Sequence, residues 1–377
     1  MKRSTEEILT THTGSLPRPP ELLAALQTRD RDEGEPAGLA QQIRDGVSDV
    51  VARQAQAGVS VVNDGEASKI GYSTYVKERL DGFGGEGGME AIPADLAEFP
   101  DYMQRIMGGL DFAMPACIGP VSYRDLEAVR ADIANLKDAV AGVQVKDVFM
   151  SAASPGVIAV FLPNQHYPSH EAYIAALADA MKAEYDEIHH AGLVLQLDCP
   201  DLAMARHISA GEQTLEEFRR QARVHVEAIN HATRDIPAAD MRMHLCWGNY
   251  EGPHHHDLPL ADIIDIVFEA KPAAISFEAA NPRHEHEWTV FDDVKLPDGK
   301  ALIPGVIDST TNYIEHPELV AQRIVRYAQR VGRENVIAGS DCGFATFASF
   351  LAIDPEITWA KLSAMADGAK LASTELW

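Results

Sequence analysis

MRMHLC, at residues 241–246, is the stretch from which the fold can be predicted. It is an apolar run of strand length, and it ends in His244 and Cys246, two residues apart. On a β-strand, side chains two residues apart face the same side. The run therefore predicts a buried strand that presents an imidazole and a thiol together at its carboxyl end.

Similar apolar runs recur along the chain and are separated by longer stretches with helical patterns. The other runs are 8–14, 59–66, 111–119, 146–152, 193–198, 273–278, 301–308 and 335–341. The helical candidates are 37–57, 124–141, 170–191, 214–233, 259–270, 316–331 and a closing helix at 355–373. This β-then-α order predicts an α/β fold with a parallel sheet, and eight such units make a (β/α)8 TIM barrel.

Nine candidate strands are one more than a barrel of this kind needs. The weakest is 111–119, because Pro115 lies inside it. We expect residues 1–377 to form a single barrel domain with insertions over its carboxyl-terminal face. The two candidate insertions are 84–110, which begins GGEGG, and 283–300, and either could cover the mouth.

Several predicted strands end in polar residues, and barrel active sites are built at these carboxyl ends. Glu278 closes AAISFE (273–278), and Cys342 follows NVIAGSD (335–341). Two thiolates, an imidazole and a carboxylate form a plausible tetrahedral Zn²⁺ shell. The pattern thus indicates a zinc site of His244, Cys246, Glu278 and Cys342. Further polar groups at strand ends are Asp64, Glu66, Asp198, Asp308 and Asp341.

The pattern alone leaves a simpler interpretation open. A cysteine on a strand is usually a small buried hydrophobic residue, and a lone histidine is usually hydrogen-bonded in the core or on the surface. Three adjacent histidines, His254, His255 and His256, follow a Gly-Pro turn. Adjacent residues rarely converge on one ion, so we interpret them as a solvated loop, with a polar role at the mouth for one histidine as the alternative.

Composition excludes several classes of protein. The formal net charge of −25 argues against nucleic acid or an anionic membrane surface as a partner. The four cysteines are far apart, which is unlike a secreted disulfide scaffold. No apolar segment of signal-peptide or membrane-span length is seen, so the cytoplasm is the expected location. Whether the chain forms a homo-oligomer is left open.

Six collinear segments resemble the catalytic half of cobalamin-independent methionine synthase. They are THTGSLPRP (11–19), NDGEASKIGYSTYVKERLDGFGG (63–85), QLDCPDLAMARH (196–207), HLCWGNY (244–250), SFEAAN (276–281) and SDCGF (340–344). The resemblance implies a zinc-dependent barrel that transfers a methyl group to the sulfur of homocysteine. It implies His244, Cys246, Glu278 and Cys342 as metal ligands. Ser15 and Glu66 would contact the amino-acid end of the substrate, and Asp198 would also line the site.

The roles of these last residues have structural alternatives. Ser15 could simply end a strand before Pro17, Glu66 could cap a helix, and Asp198 could brace the turn that follows it. The group that protonates the leaving group of the methyl donor could be Asp308, His286 or His316. For the two histidines, surface roles are favoured.

The chain also departs from the methionine-synthase pattern. It has no room for the second, N-terminal half that helps to bind the folate polyglutamate. Cys199 stands where the family has Glu, and Asp64 where it has His. The methyl donor is therefore a methyltetrahydrofolate type or a simpler compound. GVIDSTTNYIEHPELVAQRI (305–324) resembles a segment of short single-barrel relatives. These include a lyase that acts on coenzyme M, so alkyl transfer to another thiol is the alternative.

The expected chemistry is activation of a thiol by the metal. Zn²⁺ deprotonates a bound thiol, and an electron-rich shell keeps the thiolate nucleophilic. Four protein ligands fill a tetrahedral site, so we expect the substrate sulfur to add as a fifth ligand or to displace Glu278. A third class of function remains, in which zinc is structural and the barrel is not catalytic.

Overall fold

The computed structural model describes residues 1–31, 33–87, 93–107, 114–208, 213–347 and 353–377. The strands are β1 (Val61–Val62), β2 (Leu80–Gly84), β3 (Ala116–Tyr123), β4 (Asp147–Ala153), β5 (Val194–Asp198), β6 (Met241–Leu245), β7 (Ala274–Phe277), β8 (Ala301–Ile307) and β9 (Gly339–Ser340). The helices are α1 (Pro20–Asp30), α2 (Leu39–Gln56), α3 (Val76–Arg79), α4 (Ala94–Ala97), α5 (Pro100–Met107), α6 (Glu127–Val140), α7 (Pro155–Phe161), α8 (His170–His190), α9 (Ala205–Ile208), α10 (Leu215–Ala232), α11 (Ile264–Glu269), α12 (Val290–Asp293), α13 (Pro317–Val331) and α14 (Pro355–Leu376).

Seven strands form one parallel sheet in the order β1-β4-β5-β6-β7-β8-β9. The N-terminal segment closes this sheet into a barrel, because it bonds to both edges. The Thr11 N–H donates to the Ala338 carbonyl at 2.8 Å, and the Val61 N–H donates to the Thr10 carbonyl at 2.9 Å. Residues around Thr10 thus act as the first of eight strands, which confirms the predicted (β/α)8 topology.

The extra strand candidate lies outside the barrel. β3 pairs antiparallel with β2, and the two form a separate two-stranded sheet. The predicted run 111–119 overlaps the start of β3, although residues 111–113 lie outside the described part of the chain. Pro115 precedes the strand rather than interrupting it.

A buried ion cluster fastens this hairpin to the helical layer. Arg79, just before β2, pairs with Asp132 of α6 and, at 3.1 Å, with Glu184 of α8. Glu184 also accepts a hydrogen bond from the Tyr75 hydroxyl at 2.5 Å. Because all these groups are buried, loss of the arginine would leave two carboxylates without a counter-charge.

The long helices cover the outside of the barrel, close to where the sequence predicts them. α10 begins with a capping box, in which Thr214 and Glu217 bond each other's backbone N–H groups. The region 283–300 holds a 3₁₀ turn (Glu285–Thr289) and α12 rather than a long loop. Within the described residues, no helix is long and apolar enough to cross a membrane.

Candidate metal centre and active-site cavity

A cavity opens at the carboxyl-terminal ends of the barrel strands. Its volume of about 130 Å³ exceeds many times the ~10–15 Å³ that one water needs, so a small organic molecule fits. Its wall contains Thr13, Ser15, Glu66, Tyr72, Pro93, Leu96, Phe161, Asp198, Pro200, Met204, Ile208, His244, Cys246, Gly248, Asn249, Tyr250, Cys342, Gly343, Thr346 and Phe347.

Three of the predicted metal ligands meet in this wall. The candidate ligand atoms of His244, Cys246 and Cys342 all lie within 4.8 Å of one another, and the three residues are buried. His244 lies on β6, Cys246 directly follows that strand two residues later, and Cys342 follows β9. Two thiols and an imidazole at this spacing can hold a tetrahedral ion with one or more positions still to fill.

The imidazole of His244 uses only one of its two ring nitrogens in hydrogen bonding to described residues. Its Nδ1 lies 3.1 Å from the Ser276 hydroxyl, whereas its buried Nε2 has no hydrogen-bond partner among the residues that the structure describes. Burial, followed by the charge of Arg242, lowers the pKa of His244 to about 3, so the ring is neutral. A neutral ring with one nitrogen held by a neighbour and the other bare is the arrangement found in metal-binding histidines.

The thiols of Cys246 and Cys342 lie close enough for each to affect the protonation of the other. A hydrogen bond with Cys246, and then burial, raises the pKa of Cys342 well above the ordinary value. A cation between the sulfurs would reverse this preference, because a coordinating thiol gives up its proton. The donor set therefore fits a thiophilic metal ion.

Glu278 lies farther away than the other three predicted ligands. Its carboxylate oxygens are not within 4.8 Å of the ligand atoms of all three. One carboxylate oxygen accepts the Trp247 N–H at 2.8 Å, and the other accepts from Asn281 at 2.8 Å and pairs with Arg283. Arg283 gives Glu278 a competing partner. No pattern in the sequence indicates a role for this arginine.

Asp341 shapes the turn that carries Glu278. Its carboxylate accepts the backbone N–H groups of Ala279, Ala280 and Asn281, each at 2.8 Å. Burial, and then the nearby acid Asp308, raises the pKa of Asp341 to about 7. The residue directly before Cys342 therefore fixes the backbone of a neighbouring ligand segment.

Glu66 offers a bare carboxylate oxygen to the cavity region. Its Oε1 accepts the Ser151 hydroxyl at 2.6 Å, while its buried Oε2 has no hydrogen-bond partner within the described part of the chain. The backbone of Glu66 is left-handed, with φ of 56°, which bulky side chains seldom adopt. Arg18 holds this conformation by donating to the carbonyls of Glu66 (2.7 Å) and Lys69 (2.9 Å).

Ser15 and Asp198 also reach the cavity wall, as predicted. The Ser15 carbonyl accepts the Phe344 N–H at 2.9 Å, which joins the first segment to the loop after Cys342. Burial, and then the charge of Glu66, raises the pKa of Asp198 well above the ordinary range. This rise in pKa favours the protonated carboxyl, which is the form that can donate a proton.

The other acid candidates lie outside the cavity wall. Asp308 accepts from Thr310 and Thr311, so in this structure it holds a turn. His316 caps α13 by accepting the Glu318 N–H at 3.3 Å, and His286 is exposed. These contacts give both histidines surface positions, as favoured from the sequence.

Aromatic rings from three separate segments form an apolar wall that the sequence did not indicate. Tyr72, Phe161 and Phe347 contact one another with ring centroids 5.5–5.9 Å apart. Pro93 and Leu96 add to the wall from the insertion predicted to cover the mouth.

The three adjacent histidines separate into two environments. His254 is buried and lies 3.0 Å from Asp257, whereas His255 and His256 are exposed. The interpretation as a solvated loop therefore describes the second and third histidines, and His254 is a packed residue.

Behind this loop, Asp257 also bonds His284, which stacks on Trp247 at a centroid distance of 4.0 Å. Burial alone would lower the pKa of His284. Its hydrogen bonds to Asp257 and Glu287 outweigh that effect and raise the pKa to about 9.

Comparison with known proteins agrees with this geometry. Residues 156–370, more than half of the chain, match the model of the cobalamin-independent synthase catalytic domain. The chain is 24% identical to a methionine synthase of Thermococcus kodakarensis over 364 residues, with 96% of this chain and 93% of the relative covered. It is 25% identical to a methionine synthase of Pyrococcus horikoshii, with 96% and 92% covered.

A solved structure shares the fold over nearly its whole length. The B12-independent methionine synthase from Shewanella sp. W3-18-1, in complex with selenomethionine, superposes with a TM-score of 0.77 at 20% identity. The match covers 98% of this chain and 99% of that one. With the family model matched across the segments that carry Cys246, Glu278 and Cys342, the chain belongs to the cobalamin-independent synthase catalytic-domain family.

Proposed function

We propose that this protein is a zinc-dependent methyltransferase that methylates the thiol of homocysteine to give methionine. The observation that carries the proposal is the buried convergence of His244, Cys246 and Cys342 beside a bare carboxylate oxygen of Glu66, in one cavity at the barrel mouth. The relatives named as methionine synthases support the same reaction. We propose further that residues 1–377 act as one domain.

The donor set favours zinc among the common metals. Thiolates and an imidazole in tetrahedral arrangement are its typical ligands, whereas magnesium and calcium prefer oxygen. Glu278 is the proposed fourth ligand. A bound zinc ion would supply the positive charge that deprotonates the substrate thiol. Because Glu278 already has Arg283 and Asn281 as partners, we infer that it is the ligand most easily exchanged.

The cavity suits an amino-acid thiol better than a sulfonate thiol. The unpaired Oε2 of Glu66 can accept the substrate ammonium group, and Ser15 can bond the carboxylate end. Among the described residues that line the cavity, none is Lys or Arg. The residues outside the described ranges include no Lys or Arg in the sequence either. Coenzyme M would bring a sulfonate that finds no cationic partner in the described cavity wall, and it would leave the Oε2 of Glu66 without an ammonium group to bind.

The donor side of the cavity is apolar and aromatic. Tyr72, Phe161 and Phe347 provide faces on which a flat heterocycle can stack, which fits a methyltetrahydrofolate-type or simpler donor. Asp198, a buried carboxyl whose pKa is raised well above its ordinary range, is the proposed source of the proton that the departing nitrogen needs. Asp308 remains a weaker candidate because its carboxylate is occupied by Thr310 and Thr311.

We also propose the cytoplasm as the working compartment. The four cysteines are all free and buried, and thiolate ligands of this kind persist where disulfides do not form.

Cobalt substitution tests this proposal directly. Protein loaded with Co²⁺ should show a thiolate-to-metal charge-transfer band that changes when homocysteine is added and not when coenzyme M is added. A response only to coenzyme M would mean that the substrate is not homocysteine, although the metal still activates a thiol. No response to any thiol, together with unfolding when the metal is chelated, would favour a structural metal site.

A further inference from the structure

A second group of candidate metal ligands lies on the surface above the cavity. The group consists of Glu98, His255 and His256, whose ligand atoms all lie within 4.8 Å of one another. The Nε2 atoms of the two histidines lie 3.1 Å and 2.6 Å from the two different oxygens of the Glu98 carboxylate. We call this group the surface triad.

The surface triad joins two segments that both reach the cavity. Glu98 directly follows α4, whose neighbourhood supplies Pro93 and Leu96 to the cavity wall. The histidines belong to the loop after β6, which supplies residues 248–250 to the same wall. A bond across the triad therefore holds the 93–107 segment over the cavity mouth.

Other contacts between the two segments are an edge-to-face packing of Phe99 on His255, with ring centroids 6.0 Å apart, and several hydrogen bonds. The Tyr250 hydroxyl donates to Asp95 at 2.8–2.9 Å, and the His254 N–H donates to Asp95 at 2.9 Å. The Tyr102 hydroxyl donates to the Glu251 carbonyl. These contacts position the triad residues opposite one another before any ion binds, which lowers the entropy cost of binding.

We propose that the surface triad binds a divalent transition-metal ion, of which Zn²⁺ is the test case, and that this ion latches the 93–107 segment over the cavity. Two imidazoles and one carboxylate form a known three-ligand zinc set that leaves a position for water. Four-coordinate zinc with bonds of ~2.05 Å separates its ligand atoms by ~3.3 Å. The two histidine-to-carboxylate spacings, 3.1 Å and 2.6 Å, are shorter than this value, and the side chains are exposed, so they can move apart to admit the ion.

The triad differs in chemistry from the cavity site. It offers nitrogen and oxygen, whereas the cavity site offers two sulfurs, so zinc should fill the cavity site first. The triad is half exposed, with side-chain accessibilities of 41%, 42% and 52% for His255, His256 and Glu98. An ion there exchanges with solvent, which is what a site that responds to metal concentration requires.

The binding test uses Zn²⁺ titrated calorimetrically into protein that already carries one equivalent of zinc. We expect the wild type to bind a second equivalent. His256→Ala and Glu98→Gln should weaken that step by at least about 10-fold, since loss of even a supporting hydrogen bond to a ligand costs that much. His166→Ala removes another exposed histidine and should leave the second equivalent unchanged. Absence of a second equivalent in the wild type, or equal binding by all variants, would overturn the proposal.

The latch is tested by amide hydrogen exchange of residues 93–107, which does not depend on catalytic activity. The second equivalent of zinc should slow exchange in the wild type and in His166→Ala, and not in His256→Ala. Because both readouts are independent of turnover, they hold whether or not the proposed methyl transfer is correct. Unchanged exchange in the zinc-saturated wild type would overturn the latch.

Discussion

Replacement of Glu66 by Gln removes one charge from the cavity and keeps the size and shape of the side chain. A glutamine can still accept the Ser151 hydroxyl, which lies 2.6 Å from Oε1, so the local packing should persist. The group at the Oε2 position becomes an amide that donates hydrogen bonds and no longer attracts an ammonium ion. The variant therefore isolates the electrostatic contribution of the carboxylate to substrate binding.

The size of the effect follows from the burial of this carboxylate. Glu66 is 2% exposed, and no residue in the described ranges bonds its bare oxygen, so the ammonium contact is a buried hydrogen bond between charged groups. Such a bond contributes about 1.5–3 kcal/mol. That range corresponds to homocysteine binding that is roughly 10- to 150-fold weaker, at ~1.4 kcal/mol per factor of ten.

The assay is calorimetric binding of homocysteine to zinc-loaded protein, with melting temperature and metal content measured on the same samples. Ser151→Ala is the matched control, because it removes the other partner of Glu66 and keeps the charge. We expect Glu66→Gln to lose affinity much more than Ser151→Ala, with zinc content unchanged in both. Equal homocysteine affinity in Glu66→Gln and wild type would refute the assignment of Glu66 to the ammonium group.

Three further predictions concern the metal, the buried ions and pH. His244→Ala should lower the zinc content from about one equivalent to near zero and leave the circular dichroism spectrum unchanged. A full equivalent of zinc in this variant would show that His244 is not a ligand. In urea unfolding, Arg79→Met should destabilise the fold by about 3–5 kcal/mol, because it leaves two buried carboxylates unpaired. Arg130→Met, at an exposed pair, should destabilise it far less. Hydrogen bonds to Asp257 and Glu287 outweigh the effect of burial and raise the folded-state pKa of His284 to about 9. The protonated ring therefore stabilises the folded state fully below about pH 6.5. This contribution, up to about 3 kcal/mol, is lost as the pH rises towards 9. His284→Gln should flatten this part of the stability curve, and an unchanged slope would contradict the assignment.

The barrel could be predicted because its signal is local. Strand runs such as 193–198 and 241–246 repeat at intervals that leave room for a helix, and the observed β5 and β6 lie within one residue of these bounds. The first strand was harder to define, because only a few residues around Thr10 bond to the two edges of the sheet. The extra candidate at 111–119 joined a hairpin instead, because the barrel was already closed by eight strands.

The candidate site was predicted in part. The meeting of His244, Cys246 and Cys342 follows from topology, because all parallel strands of a barrel end at the same face. The competing partner of Glu278 was not predictable, since Arg283 lies on a loop whose path is set by packing. The aromatic wall was also missed, because Tyr72, Phe161 and Phe347 come from segments with no common periodicity.

The sequence by itself thus determined the order of strands and helices and the residue types at each strand end, because alternation and helical periodicity act over a few neighbouring residues. Only the tertiary structure decided which side chains meet across long separations. Glu98 reaches His255 across 157 residues, and Glu66 reaches Ser151 across 85. Such pairs depend on loop paths and on the packing of the whole barrel, which no local pattern encodes.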